Sequence, residues 1–283
     1  MQRSSPRSGD ALHQAASAEF TSLRAVLEAA GVRCCVVDDV SPPVRPDAIF
    51  PNNWISFHDD GTVVLYPMLA PNRRFERRPE VVATVCRELG FEEKRRIDMS
   101  HFENDGKFLE GTGSLVLDHA QRLAFACRSP RTHDELVQHW SRQMNHEPVL
   151  FDATDAAGQA YYHTNVMLWI GTHCAMVCAE SIAPAQRDRV RQLLSRDRTL
   201  IEMDRRAVDQ FAGNMLELAG RAADGRLRSL LLLSATAAQA LTVRQRAQLE
   251  SGFDQLLVAA VPTIEAVGGG GVRCMVAEVP ARR

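Results

Sequence analysis

No window of the 283 residues approaches the ~18 uninterrupted apolar residues that a membrane helix needs. The opening MQRSSPRSGD has no apolar centre, so no secretory leader is expected there. Its serines and arginines are too few to argue a transit peptide. Seven cysteines, an odd number, include no CxxC pair and no zinc-type cysteine–histidine spacing, so neither a disulfide framework nor a structural metal is indicated. A one-sided charge is lacking too. A formal net charge of −2 gives no reason to expect a nucleic-acid or membrane partner. What is present, 45% hydrophobic and 24% charged residues, is the composition of a soluble globular protein of one large domain or two. A cytoplasmic, reduced protein is expected. Cys34, Cys35, Cys174 and Cys178 lie in apolar runs and read as core. The cluster Arg73, Arg74, Arg77 and Arg78 reads as a solvated lead-in to a helix.

Periodicity gives the chain its organisation. Leu12, Ala16, Phe20, Leu23, Leu27 and Ala30 recur at helical spacing, and Gly31 suits the stop. VRCCVV then predicts a buried strand. FPNNWISF and TVVLYP follow, parted by the turn signal HDDG. The order returns as RRPEVVATVCRELG, EKRRID, and a hairpin of GTGSLVLD and RLAFAC. A third copy has a helix over 132–144, PVLFDA, TNVMLWI and CAMVCAE. A fourth has a helix over 185–194, TLIEM, NMLEL and SLLLLS. A fifth has VRQRAQLE, QLLVAAV and VRCMVAEV. Helix–strand–strand–strand repeated at roughly 50 residues suggests a ring of small sheets. The predicted fold is a five-bladed α/β propeller, one domain over 1–283 with residues 1–10 disordered. The fifth copy is one strand short, and MQRSSPRSGD cannot supply it. Either the ring is open at one edge, a hazard for association, or the natural start lies upstream.

One polar position recurs at the same register in each copy: Asn52–Asn53, Glu110, His163, Asn214 and Cys274. In a ring these would converge on one pocket. A thiol, an imidazole and a carboxylate there form a coherent nucleophile, proton carrier and orienting group. Taken singly, each has a duller reading. A lone cysteine before an apolar strand is usually inert core, and Asn52–Asn53 suits a turn. His58 and His101, in loop-like stretches, read as pocket-rim residues. The glycines before Cys274 let backbone pass close to a ligand.

PDAIFPNNWISFHDDGTVVLYPMLAPNRRFERR, DMSHFE, GKFLEGTGSLVLD, ACRSPRT, YHTNVMLWIG, FAGNMLE and GGGGVRCMVAE together resemble a known family. It is the amidinotransferase-related branch of the guanidine-modifying (pentein) enzymes, which includes citrulline-utilisation hydrolases. It is related to arginine deiminase and dimethylarginine dimethylaminohydrolase. The resemblance runs from about residue 11 to 279. It implies that Cys274 is the nucleophile, His163 the general acid/base and Glu110 its partner. It implies that Asp47, Asn52 and Asn53 grip the substrate's planar head group, that Arg131 meets its α-carboxylate, and that Asn214 lies in the pocket. No metal or organic cofactor is implied. Relatives that take cationic guanidines carry carboxylates where this chain has Asn52 and Asn53. A neutral amide suits a neutral ureido group, so hydrolysis of citrulline to ornithine, ammonia and carbon dioxide is expected. An arginine-type deiminase, a dimethylarginine hydrolase, an amidinotransferase and a non-catalytic binding module are the alternatives. The partner is then a small ureido or guanidino amino acid, with homo-oligomerisation left open.

Overall fold

The computed structural model describes residues 9–39 and 42–280. The opening helix α1 spans Gly9–Ala29, so Gly9 and Asp10 are helical. The rest of the segment expected to be disordered lies outside the described residues. Beyond α1 the chain builds four three-stranded sheets of one design. The first has β1 (Ile55–Phe57), β2 (Thr62–Leu65), the helix α2 (Pro79–Leu89) and β3 (Arg95–Asp98). The second has a short helix α3 (Gly111–Ser114), β4 (Val116–Asp118), β5 (Leu123–Cys127), α4 (Asp134–Met144) and β6 (Glu147–Phe151). The third has β7 (Leu168–Ile170), β8 (Cys174–Val177), α5 (Pro184–Leu194) and β9 (Thr199–Glu202). The fourth follows α6 (Arg205–Val208) with β10 (Leu216–Arg221), β11 (Leu227–Ser234), α7 (Ala235–Ala240), α8 (Val243–Gly252) and β12 (Gln255–Ala259). Helix α9 (Pro262–Gly268) leads into the glycine run.

In every sheet the middle strand carries all the pairing. Its hairpin partner is antiparallel, and the strand returning through the helix is parallel. The sheets therefore divide the repeat differently from its reading in sequence. The strand after each helix joins the hairpin before that helix, not the one after it. VRQRAQLE and QLLVAAV thus complete the fourth sheet.

VRCCVV and VRCMVAEV form no strands among the described residues. In the four sheets every outer strand pairs only with a middle strand, and no described segment pairs with these two, so their backbone groups have no ladder. Cys34 and Cys35 are accordingly half-buried rather than core, whereas Cys174 and Cys178 are buried.

Local sequence explains the elements. Pro79 opens α2, and Gly90 closes it in the left-handed conformation that glycine adopts freely. Alternate residues of a strand point to opposite faces, so the apolar stretches of β2, β5 and β11 feed two cores each, whereas β8 lies wholly in one. Leu231 and Leu233 of β11 join one core, and Leu230 and Leu232 the other. Phe125 and Ala124 of β5 divide in the same way. Leu23 and Leu27 of α1 pack with Leu230, Leu257, Val272 and Met275, which ties the first helix to the segment holding Cys274. A mixed α/β fold of small sheets is therefore what the chain adopts. Among the described residues, no helix is long and apolar enough to cross a membrane.

Candidate functional site

Four of the five register positions sit in a tight turn just ahead of the first strand of a sheet, and Cys274 lies in a turn that no strand follows. Asn52 and Asn53 lie in the 3₁₀ turn Pro51–Asn53 before β1. Glu110 precedes α3, and His163 precedes the 3₁₀ turn Thr164–Val166. Asn214 bonds back to Phe211, and Cys274 to the carbonyl of Gly271. Compact turns hold these side chains, and in the four sheets the strand behind each turn anchors its backbone.

A cavity of about 80 Å³ is lined by Asp47, Phe50, Asn53, Arg73, Arg131, Tyr162, His163, Gly268, Gly269, Gly270 and Cys274. Five of the eight residues expected in a site are on its wall: Asp47, Asn53, Arg131, His163 and Cys274. Glu110, fully buried, stands directly behind. Its carboxylate bonds the His163 imidazole (Oε2–Nε2 2.9 Å) and accepts from Arg131 Nη1 at 3.1 Å and from the Leu69 backbone at 3.0 Å. Burial alone would raise its pKa. The bond and charge of His163, with Arg131 and Arg73, outweigh that and hold the carboxyl at about 2. An ionised carboxylate only accepts hydrogen bonds, so Nε2 of His163 carries the proton. Nδ1 is left as the basic nitrogen. Burial lowers the imidazole's own pKa against the opposing pull of Glu110, so the ring is neutral at rest.

Cys274 is buried, and burial raises its pKa. The amides of Asn214 and Asn165 and the charges of Arg273 and Arg73 pull the other way. Asn214 Nδ2 donates to Cys274 Sγ at 3.3 Å and Asn165 Nδ2 approaches it at 3.6 Å. Asn214 also donates to the Asn165 carbonyl, while its Oδ1 accepts from the Arg273 backbone at 3.1 Å. Every polar atom of that amide is used in holding the cysteine turn. Asn214 is thus spent on the cysteine turn and is not among the residues lining the cavity.

Asn52 also departs from expectation. It is buried off the cavity wall with both amide atoms unpartnered. His58 and His101 are not rim residues either. His58 is buried at the end of a chain in which Trp140 donates to Tyr66, the Tyr66 and Ser56 hydroxyls share a bond of 2.7 Å, and Ser56 Oγ lies 2.8 Å from His58 Nε2. His101 lies against Phe102.

Two residues on or behind the wall carry no warning in the sequence. Asn165 is two positions from His163, and only the fold brings its amide to the sulfur. Arg73 belongs to the cluster that reads as solvated, yet it is 4% exposed. It is clamped by both oxygens of Glu76, at 2.9 and 3.0 Å. Arg77 of the same cluster pairs with Glu103 at 2.6 Å. Spacing within a charge run does not reveal which of its members turn inward.

The glycines act through close approach. A Cβ on Gly270 would stand 2.9 Å from the Phe50 ring, and one on Gly113 would lie 2.5 Å from Asn53 Nδ2 and 2.8 Å from His163 Nδ1. Tyr162, on the cavity wall, donates its hydroxyl proton to the Gly269 carbonyl, tying the glycine segment to the rim. Among the described residues no group of three or more His, Cys, Asp or Glu could hold a metal ion.

Small α/β sheets that place a thiol, an imidazole backed by a carboxylate, and amide groups around one cavity are the arrangement that the guanidine-modifying resemblance implies. The family model for N,N dimethylarginine dimethylhydrolase, eukaryotic, matches residues 1–281. The chain belongs to that family, whose description names a hydrolase. No curated protein matches it in sequence.

Among solved structures it is similar to the substrate-bound N-terminal domain of ArgZ, an arginine dihydrolase from the ornithine-ammonia cycle in cyanobacteria. The TM-score is 0.70 at 15% identity, covering 95% of this chain and 89% of that one. Against the whole of ArgZ the chain spans only 38% of the length. It is also similar to AgrE in complex with ornithine and NAD+ (TM-score 0.72, 14% identity, 96% of this chain and 35% of that chain). A dimethylarginine dimethylaminohydrolase adduct gives a TM-score of 0.62 at 13% identity, covering 92% and 89%. At these identities the likeness is one of fold.

Proposed function

We propose that this chain hydrolyses the ureido C–N bond of citrulline, giving ornithine, ammonia and carbon dioxide. The observation that carries the reading is a cavity whose wall holds Cys274, His163 and Asn53 together. Cys274 Sγ attacks the ureido carbon as its proton passes to Nδ1 of His163. His163 then protonates the departing amine, and the bond between that nitrogen and the ureido carbon breaks. Ornithine leaves, and a carbamoyl thioester remains on Cys274. Water, deprotonated by His163, attacks the thioester. Cys274 regains its proton, and the carbamic acid released falls apart to ammonia and carbon dioxide. Glu110 stabilises the charged imidazole between the two proton transfers. Arg131 takes the α-carboxylate, Asp47 and Asn53 the head group, and Asn165 and Asn214 hold the sulfur. The four sheets and the two unpaired segments are read as parts of one five-bladed α/β propeller domain.

A second reading, hydrolysis of arginine or a methylated arginine, draws on the Asp47 carboxylate at the cavity and on what ArgZ and the family description name. The test is to incubate the protein with citrulline and arginine separately and assay ornithine, ammonia and new citrulline. Ornithine from citrulline is expected. Citrulline from arginine, with none consumed, would overturn the substrate assignment. No turnover of either, with Cys274 inert to iodoacetamide, would point to a binding module.

A further inference from the structure

The cavity has a buried floor and a half-open rim. Cys274 is 3% exposed, and His163 and Asn53 on the same wall are as deeply buried. The lining residues that solvent reaches are Asp47, Arg131, Tyr162, Gly268 and Gly269. Two of these are joined directly. The Tyr162 hydroxyl donates to the Gly269 carbonyl, bridging rim residues 107 positions apart in the chain. The Tyr162 ring centroid lies 5.0 Å from that of His163, and the Arg131 guanidinium stands 5.6 Å from it. The residue as a whole is nevertheless 37% exposed. It therefore stands between solvent and the imidazole.

The two ends of the bridge differ in freedom. A Cβ on Gly268 or Gly270 would come within 2.8 and 2.9 Å of the Phe50 ring, so the glycine segment is pressed against a buried side chain and cannot retreat. Tyr162 is fixed by its backbone, whose carbonyl accepts from Ser129 Oγ at 2.9 Å. Its side chain is held at the tip by the hydroxyl bond and has solvent on one side. Breaking that bond lets the ring swing outward and leaves the backbone where it is.

The geometry points to Tyr162 as a latch on the cavity: its ring and its bond to the Gly269 carbonyl close the way from solvent to Cys274, and a reactant reaches the sulfur once that bond breaks. The chemistry suits such a part. A phenol is protonated at neutral pH, so it donates, and a carbonyl only accepts. A neutral hydrogen bond at a solvated rim is exchanged for one to water at small net cost, so the latch opens and recloses readily. Losing one such bond shifts an open–closed balance by about 2- to 12-fold.

The test reads access to Cys274 and needs no turnover, so it stands apart from the choice of substrate. Wild type, Tyr162→Phe and Tyr162→Ala are treated with iodoacetamide and with the bulkier N-ethylmaleimide, and the rate of modification at each cysteine is followed by peptide mass spectrometry. Tyr162→Phe keeps the ring and loses the bond, so Cys274 is expected to be labelled about 2- to 12-fold faster by both reagents. Tyr162→Ala removes the ring and is expected to raise the N-ethylmaleimide rate more than the iodoacetamide rate. The buried Cys127 and Cys174 keep their wild-type rates in both variants. Cys274 labelled no faster in either variant would overturn the inference. An equal rise at Cys127 and Cys174, meaning general loosening, overturns it too. So does a rise in Tyr162→Ala that is the same for both reagents, which means a more acidic thiol and not a wider path.

Discussion

A thiol whose acidity is suppressed by burial is a weak nucleophile at rest, and Cys274 is such a thiol. Two amides and the Arg273 charge stand ready to stabilise the sulfur once its proton leaves, and the neutral His163 beside the same cavity is a ready base. Cys274→Ser is expected to abolish turnover while leaving the unfolding transition in place, as read by product assay and thermal melt. Surviving activity would mean the wrong nucleophile. Glu110→Gln removes the charge that fixes the His163 tautomer and is expected to cost about 10²–10⁴ in kcat, with a displaced pH profile. An unchanged profile would leave Glu110 with no part in tuning His163. Cys274, His163 and Glu110 were legible in the sequence because each recurs at one register of a repeat. Arg73 was not. Its meaning depends on Asn53, twenty residues away, and on a turn at residues 71–76 that folds it inward.

Turns rather than strands do the positioning at the scale of elements. Gly113 sits where Asn53, His163 and α3 converge. Gly113→Ala is expected to cost about 1–3 kcal/mol through overpacking, seen as a lower denaturant midpoint, and to depress turnover by displacing Asn53 and His163. A variant with wild-type kinetics would show that neither group needs its present place. The hairpins and helices could be read from period and punctuation, since those signals are local. The assignment of strands to sheets could not. The parallel partner of each middle strand arrives through a helix, a pairing that spans 24–33 residues and leaves no local mark. VRCCVV illustrates the limit. Its composition is that of a buried strand, but a strand exists only where a neighbour offers a ladder.

Proton linkage sets the behaviour of the whole molecule in acid. Burial, the largest influence, and the nearby His119 hold His58 down to about 4 from 6.5. As pH falls below 6.5 the unfolded chain binds this proton and the folded one does not, so stability is lost between pH 6.5 and about 4. At about 1.4 kcal/mol per pH unit that interval is worth roughly 3 kcal/mol. Glu110 acts in a lower window. Its carboxylate contributes stability in full above about 4.5, and that contribution is lost as pH falls toward about 2. Urea midpoints taken from pH 7 to pH 4 should fall steadily in the wild type and flatten in His58→Gln. Parallel curves would remove His58 from the explanation.

A covalent bond at Cys274 decides the chemistry more directly than any rate. The protein would be mixed with citrulline labelled at the ureido carbon, quenched in acid within a turnover, digested and weighed by mass spectrometry. The account expects the label on the peptide that contains Cys274, as a carbamoyl group that disappears as substrate is exhausted. Ornithine production with no label on that peptide at any time would contradict it.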